Sequence, residues 1–258
     1  MKPFLFAALG YQIASAPVFA GLAALASYFY FERRAGALGV DNEDFWGLIA
    51  CLAAGVFAGA VGFYALAYGG GLSRNVSFLL RNRTVAGGSF LGTYLGAASA
   101  SWLYCRARRL RFGPVADVLA AAAPLGLSIM RIGCLLNGCC EGTPTRLPWG
   151  IVYRGVSAVP PRLRGIPLHP TQLYEAFGSL AIFAVIDRAL RPRIADGRLR
   201  EGDALAVSIG LYGALRFGVD FVRAGDPGVG AMAGLTLAQW MAAAAMAACG
   251  ARFARRRA

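Results

Sequence analysis

Charge is scarce in this chain of 258 residues: 15% is Asp, Glu, Lys or Arg, against 57% hydrophobic residues. A soluble domain of this size carries about 25% charged residues. The mean hydropathy is +0.54. Lysine is nearly missing, with Lys2 alone, and histidine is reduced to His169. Acidic residues number 13 against 26 basic ones, a formal charge of +13. High apolarity excludes a disordered chain, and long charge-free runs argue against a soluble domain. Six cysteines are too few for a disulfide scaffold in a chain of this length. No P-loop, dinucleotide fingerprint or HExxH motif occurs, and no repeat, low-complexity tail or linker divides the chain.

What is abundant is apolar sequence in long pieces. Residues 3–31, 45–73, 84–105 and 227–251 contain no charge at all. Each is long enough for a transmembrane helix of about 20 residues. Three further runs carry charges: 118–136 with Arg131, 170–186 with Glu175, and 204–222 with Arg216 and Asp220. This predicts an all-α polytopic membrane protein of about seven transmembrane helices, one domain over 1–258. The first run resembles a signal peptide at Ala16-Pro-Val-Phe-Ala20. Because apolarity continues to Phe31, a retained helix is the favoured reading.

The basic residues fall in short clusters between these runs, a topology signal rather than a nucleic-acid surface. With the N-terminus outside, the inside segments hold Arg33, Arg34, Arg106, Arg108, Arg109, Arg111, Arg188, Arg191, Arg193, Arg198, Arg200, Arg252, Arg255, Arg256 and Arg257. The outside segments hold Lys2, Arg74, Arg81, Arg83, Arg146, Arg154, Arg162, Arg164 and Arg223. The excess inside predicts N-terminus out and C-terminus in. The longest stretch between spans, about 137–169, then lies outside. It is rich in Gly and Pro, and residues 149–153 read as a short strand or an interfacial anchor.

An ionisable group inside a bilayer costs roughly 2.5–3.5 kcal/mol on insertion scales, so it faces a cavity or a partner. Here such groups sit in three spans. Tyr212, Arg216, Asp220 and Arg223 are spaced to share one helix face. That face reads either as a helix-fastening Arg–Asp pair or as a cationic stripe for lipid phosphate, which the planar guanidinium binds with two parallel bonds. Arg131 stands near one end of its span, where it either snorkels or binds, and Asn137 either caps the helix or meets a headgroup. Pro170 suits the first position of a helix, which makes His169 its expected N-cap. Glu175 is expected to pair with one of the Arg residues. Cys134, Cys139 and Cys140 with His169 are unlike a zinc knuckle in spacing. Packing or a disulfide is the preferred reading, with no metal.

These segments resemble the prolipoprotein diacylglyceryl transferase family. Arg131-Ile-Gly followed by Asn137-Gly138 resembles its Arg-x-Gly-Asn…Asn-Gly-Glu signature. His169-Pro-Thr-Gln-Leu-Tyr-Glu175 is similar to its His-Pro-[Ser/Thr]-Gln-Leu-Tyr-Glu motif. Tyr212-Gly-x-x-Arg216-Phe-x-x-Asp220-Phe-x-Arg223 is similar to its Tyr-Gly-x-x-Arg-Phe-x-x-Glu-Phe-x-Arg motif. Leu235-Thr-Leu-Ala-Gln-Trp240 resembles the start of its last helix, and Thr84-Val-Ala-Gly-Gly88 its His-Gly-Gly turn. The resemblance covers about 80–245. It implies a seven-span inner-membrane enzyme without metal or other cofactor. Such an enzyme moves diacylglyceryl from phosphatidylglycerol to the lipobox cysteine of a prolipoprotein signal peptide, and glycerol phosphate leaves.

Arg216, His169 and Tyr212 would then be catalytic. Arg131, Asn137, Gln172, Tyr174, Glu175, Asp220 and Arg223 would bind substrate. Several positions depart from the pattern. Ala86 stands where the family has a proposed catalytic histidine, Cys134 replaces the signature Asn, Cys139 its Glu, and Asp220 shortens a Glu. A lipid-headgroup transferase with another acceptor and a non-catalytic lipid-binding homologue are the competing expectations.

Overall fold

The computed structural model describes residues 4–8, 11–67, 90–154, 158–224 and 233–256. Ala86 and the rest of the Thr84–Gly88 turn lie outside the described residues. Two compact units emerge, one from 1–31 with 117–258 and one from 32–116.

The first apolar run is not helical throughout. Strands β1 (Phe4–Ala8) and β2 (Tyr11–Ala14) pair antiparallel, and helix α1 (Ser15–Ala35) follows. Pro17 explains the boundary. A proline is tolerated in the first turn, where its missing N–H would be unbonded anyway, but not deeper in a helix.

The second unit is a helical hairpin of α2 (Asn42–Ala67) and α3 (Phe90–Ala107). Its two axes touch through glycines. A Cβ on Gly59 would lie 2.0 Å from the Gly92 carbonyl oxygen, and one on Gly96 would lie 2.0 Å from that of Gly55. Two Gly-xxx-Gly pairs thus face each other and let the backbones meet, as in lipid, where close packing replaces the hydrophobic drive. Asp41 caps α2 through the Asp44 N–H at 2.8 Å. Asp44 in turn accepts from Arg108 Nε at 2.5 Å and from the Tyr104 hydroxyl at 3.1 Å.

The first unit holds the other long helices: α4 (Phe112–Asn137) from Asp117 onward, α5 (Thr171–Val185), α7 (Asp203–Asp220) and α8 (Leu237–Ala254). A π-helical turn (Ile186–Leu190) and the short α6 (Arg191–Ala195) continue α5. Pro124 sits inside α4 and cannot donate to the carbonyl of Ala120. The Ser208 hydroxyl of α7 takes that carbonyl instead, at 2.8 Å. At the start of α7, the Asp117 carboxylate accepts the N–H groups of Gly202 and Leu205 at 2.7 and 3.1 Å. One helix therefore caps another, which satisfies donors a helix start leaves open.

Large apolar side chains point outward. Leu25, Phe57, Leu103 and Phe177 are 53, 56, 56 and 67% exposed, while Gln172, Glu175 and Asp203 are almost fully buried. That distribution suits a hydrocarbon solvent. Residues 42–62 and 112–137 form helices long and apolar enough to cross a bilayer. Of the two readings of residues 149–153, a strand forms at Ile151–Val152: β3 (Ile151–Val152) pairs antiparallel with β4 (Pro167–Leu168) over a small core of Tyr153, Val159 and Leu168.

Candidate active site

The stretch after α4 is threaded between the start of α5 and the end of α7. Gly142 donates its N–H to the His169 carbonyl at 3.1 Å, Thr143 donates to Val222 at 2.8 Å, and Ala224 donates to Glu141 at 3.0 Å. A Cβ on Gly142 would meet the His169 carbonyl oxygen at 2.4 Å, so only glycine admits this approach. These bonds hold the ends of three helices at one level.

At that level Glu175 gathers three guanidiniums. Its Oε1 accepts from Arg223 at 2.7 Å and from Arg216 at 3.1 Å, and its Oε2 pairs with Arg131. Arg216 also pairs with Asp220 at 2.8 Å. The Glu175 side chain is 1% exposed and that of Arg131 is 6%, so their charges must be compensated within the protein. The expected single Glu–Arg pair is in fact a four-residue network, with Asp220 attached to it through Arg216. The Arg131 Nε–H is buried and has no acceptor among the described residues. The Tyr212 hydroxyl is buried within Coulombic reach of Glu175, Arg131, Arg216 and Arg223.

Asp220 is fixed from the far side by α8. Thr236 caps that helix: its hydroxyl accepts the Gln239 N–H at 3.1 Å, and Gln239 Oε1 accepts the Thr236 N–H at 2.9 Å. The same hydroxyl donates to Asp220. This reciprocal cap is written in the sequence as Thr-x-x-Gln. It is a positioning element that the site residues read from sequence did not include.

Gln172 and Glu175 share a face of α5. The Gln172 amide donates to the Cys139 carbonyl at 2.8 Å and to the Tyr153 hydroxyl at 3.1 Å. Burial pushes the Tyr153 phenol up to about 12, so it stays neutral. His169 and Tyr174 form a second group. The His169 Nδ1 lies 3.4 Å from the Tyr174 hydroxyl, which accepts from Trp149 Nε1 at 2.8 Å. Tyr174 precedes Glu175 by one residue and so points about 100° around the helix from it.

His169 is not the N-cap. The helix starts at Thr171, Pro170 occupies the cap position, and no side chain caps it. The Thr171 hydroxyl, bonded to the Cys140 carbonyl at 2.6 Å, ties the first turn to the preceding loop instead. This leaves the His169 ring free of a capping role. Arg223 lies three residues beyond the end of α7, so the four-residue face ends as a helix plus a turn. Asn137 closes α4, where its carbonyl accepts the Ala158 N–H at 3.0 Å. Glu141, also missed, is buried beside Arg223; burial raises its carboxyl above the ordinary range.

Residues 3–254 match the family model described as prolipoprotein diacylglyceryl transferase. A phosphatidylglycerol–prolipoprotein diacylglyceryl transferase of Geobacter sulfurreducens is 35% identical over 218 residues, 81% of this chain and 77% of the relative. One from Chromohalobacter salexigens is 35% identical over 226 residues, covering 84% and 80%. One from Aromatoleum aromaticum is 40% identical over 161 residues, covering 60% and 56%. On this evidence the chain belongs to the prolipoprotein diacylglyceryl transferase family.

Proposed function

We propose that this chain transfers the diacylglyceryl group of phosphatidylglycerol to the lipobox cysteine thiol of a prolipoprotein signal peptide. The thiolate sulfur attacks the glyceryl carbon bearing the phosphoester. The C–O bond breaks, and glycerol phosphate leaves with the electron pair. The observation that carries this reading is the gathering of Arg131, Arg216 and Arg223 around Glu175. The three guanidiniums are ion-paired with two carboxylates, Glu175 and Asp220, which leaves one positive charge for a phosphate. The spare Arg131 Nε–H is a donor for it. Preset donors aimed at a leaving phosphate stabilise the charge that grows there.

The thiol must lose its proton. An unperturbed Cys has a pKa near 8.5, so little thiolate exists at neutral pH. His169, polarised through Tyr174, is the base in this reading, since Ala86 cannot serve. Tyr212, Asn137 and Gln172 shape the substrate pocket. The protein sits in the bacterial inner membrane as about seven spans, N-terminus out and C-terminus in, and the distribution of Arg and Lys supports this orientation. A reporter fused to the C-terminus should behave as cytoplasmic; a periplasmic signal would overturn the topology.

Transfer to a lipobox peptide from phosphatidylglycerol vesicles tests the chemistry. His169→Ala should lower the rate by roughly 10²–10⁴, the usual contribution of a general base. Ala86→His should leave the rate unchanged or raise it. An inactive wild type rescued by Ala86→His would favour the non-catalytic reading. Equal activity of His169→Ala and wild type would remove His169 from the mechanism.

A further inference from the structure

The end of α4 assembles three side chains that the phosphate site does not use. The helix stops in a Schellman turn. Gly138 takes φ 77°, its N–H is shared between the carbonyls of Cys134 and Leu135 at 2.9 and 3.3 Å, and the Cys139 N–H reaches the Cys134 carbonyl at 3.1 Å. Such a turn folds the side chain after the glycine back over the one five positions earlier. Cys140 then adopts φ 63°, in the left-handed region that residues with a Cβ seldom occupy. Its carbonyl is held by Thr171 and that of Cys139 by Gln172, so the turn is fastened to α5 through backbone atoms and the thiols are left to converge.

The Sγ atoms of Cys134, Cys139 and Cys140 lie within 4.8 Å of one another, each residue is partly exposed, and none is in a disulfide. Three thiolates at about 2.3 Å from one cation stand about 4 Å apart, so small side-chain rotations suffice. A disulfide would use two sulfurs and leave the third without a role. Arg131 and Arg223 lie within Coulombic reach of Cys140 and offset the negative charge that three thiolates would bring.

We propose that Cys134, Cys139 and Cys140 form a three-thiolate site for one soft, filled-shell metal cation, of the class of monovalent copper or divalent zinc. Each thiol gives its proton to solvent as its sulfur donates a lone pair, and the oxidation state of the cation does not change. The C-x₄-C-C spacing is unlike a zinc knuckle because a knuckle closes on a hairpin, whereas here a helix end does the folding. None of its three ligands takes part in the proposed transfer reaction, although the two sites share the field of Arg131 and Arg223.

The test uses the full chain in detergent with Cys51, Cys105 and Cys249 replaced by Ser, reduced with a phosphine and titrated with divalent cadmium. A sulfur-to-metal charge-transfer band should saturate at one cation per chain, with three thiols lost to a thiol reagent. Cys139→Ser and Cys140→Ser should each weaken binding by at least the roughly 10–100-fold that losing an outer-shell partner costs. Both variants keep the backbone bonds to α5, so they separate ligation from folding, which circular dichroism checks. No band, or a band indifferent to both substitutions, overturns the site. So does a reduced protein that binds no cation and forms only a disulfide on exposure to air.

Discussion

Helix α7 carries an arginine-rich ionic cluster at each end, and the two differ in how much water reaches the cations. At its start, Asp203 is fully buried, accepts the Arg200 N–H at 2.9 Å, and pairs with Arg252 at 3.0 Å and Arg256 at 2.6 Å. Those two guanidiniums are 37 and 24% exposed. Their surplus charge is shared with solvent, and the cluster fastens the end of α8 to the start of α7. At the other end, Arg131, Arg216 and Arg223 are 6, 20 and 18% exposed. Their surplus charge has little water to meet. The same ion-pair chemistry is therefore a fastening where solvent absorbs the excess, and under the proposed function an anion site where it does not.

Substitutions at three positions probe that contrast, from the largest effect down. Glu175→Ala leaves three neighbouring guanidiniums without their common partner, the situation in which breaking a buried pair costs about 3–5 kcal/mol. Thermal unfolding in detergent should fall accordingly, and added phosphatidylglycerol should recover part of the loss. Stability unchanged by Glu175→Ala would mean the Glu175 cluster is as well hydrated as the Asp203 cluster.

Arg216→Ala should lower transfer by roughly 10²–10³ and weaken phosphatidylglycerol binding, with helicity retained. Arg216→Lys should also be poor, because an ammonium lacks the planar fork. Near-normal turnover in Arg216→Ala would reduce this end of α7 to a second fastening. Asp203→Ala should cost about 1.5–3 kcal/mol of stability, the range for hydrogen bonds to a charged group, and leave transfer intact. A loss of transfer without a loss of stability would erase the distinction between the ends.

Several fold features could be read before the structure and several could not. Thr236-x-x-Gln239 at the start of α8 and Gly55-x-x-x-Gly59 with Gly92-x-x-x-Gly96 at the helix crossing are local patterns that a reading for spans and charges passes over. Residues 149–153 read as a strand or an anchor from sequence, and only the pairing with Pro167–Leu168 makes Ile151–Val152 a strand. His169, expected at the cap, stands one residue before it, because a proline fits a cap as well as a first turn. Nothing in the chain near Pro124 pointed to Ser208, which stands 88 residues from the carbonyl it serves.

Composition and run length by themselves settle the helical, bilayer-compatible class, because a hydrocarbon solvent leaves few ways to satisfy a backbone. Spacing by itself places Tyr212, Arg216 and Asp220 on one face, because a helix repeats every 3.6 residues. Neither could decide that Glu175 takes Arg216 from 41 and Arg223 from 48 positions away, nor that a helix end converges three thiols. Periodicity is a property of one helix. Partners across helices depend on where the turns between them let the helices pack, and only the tertiary structure sets that.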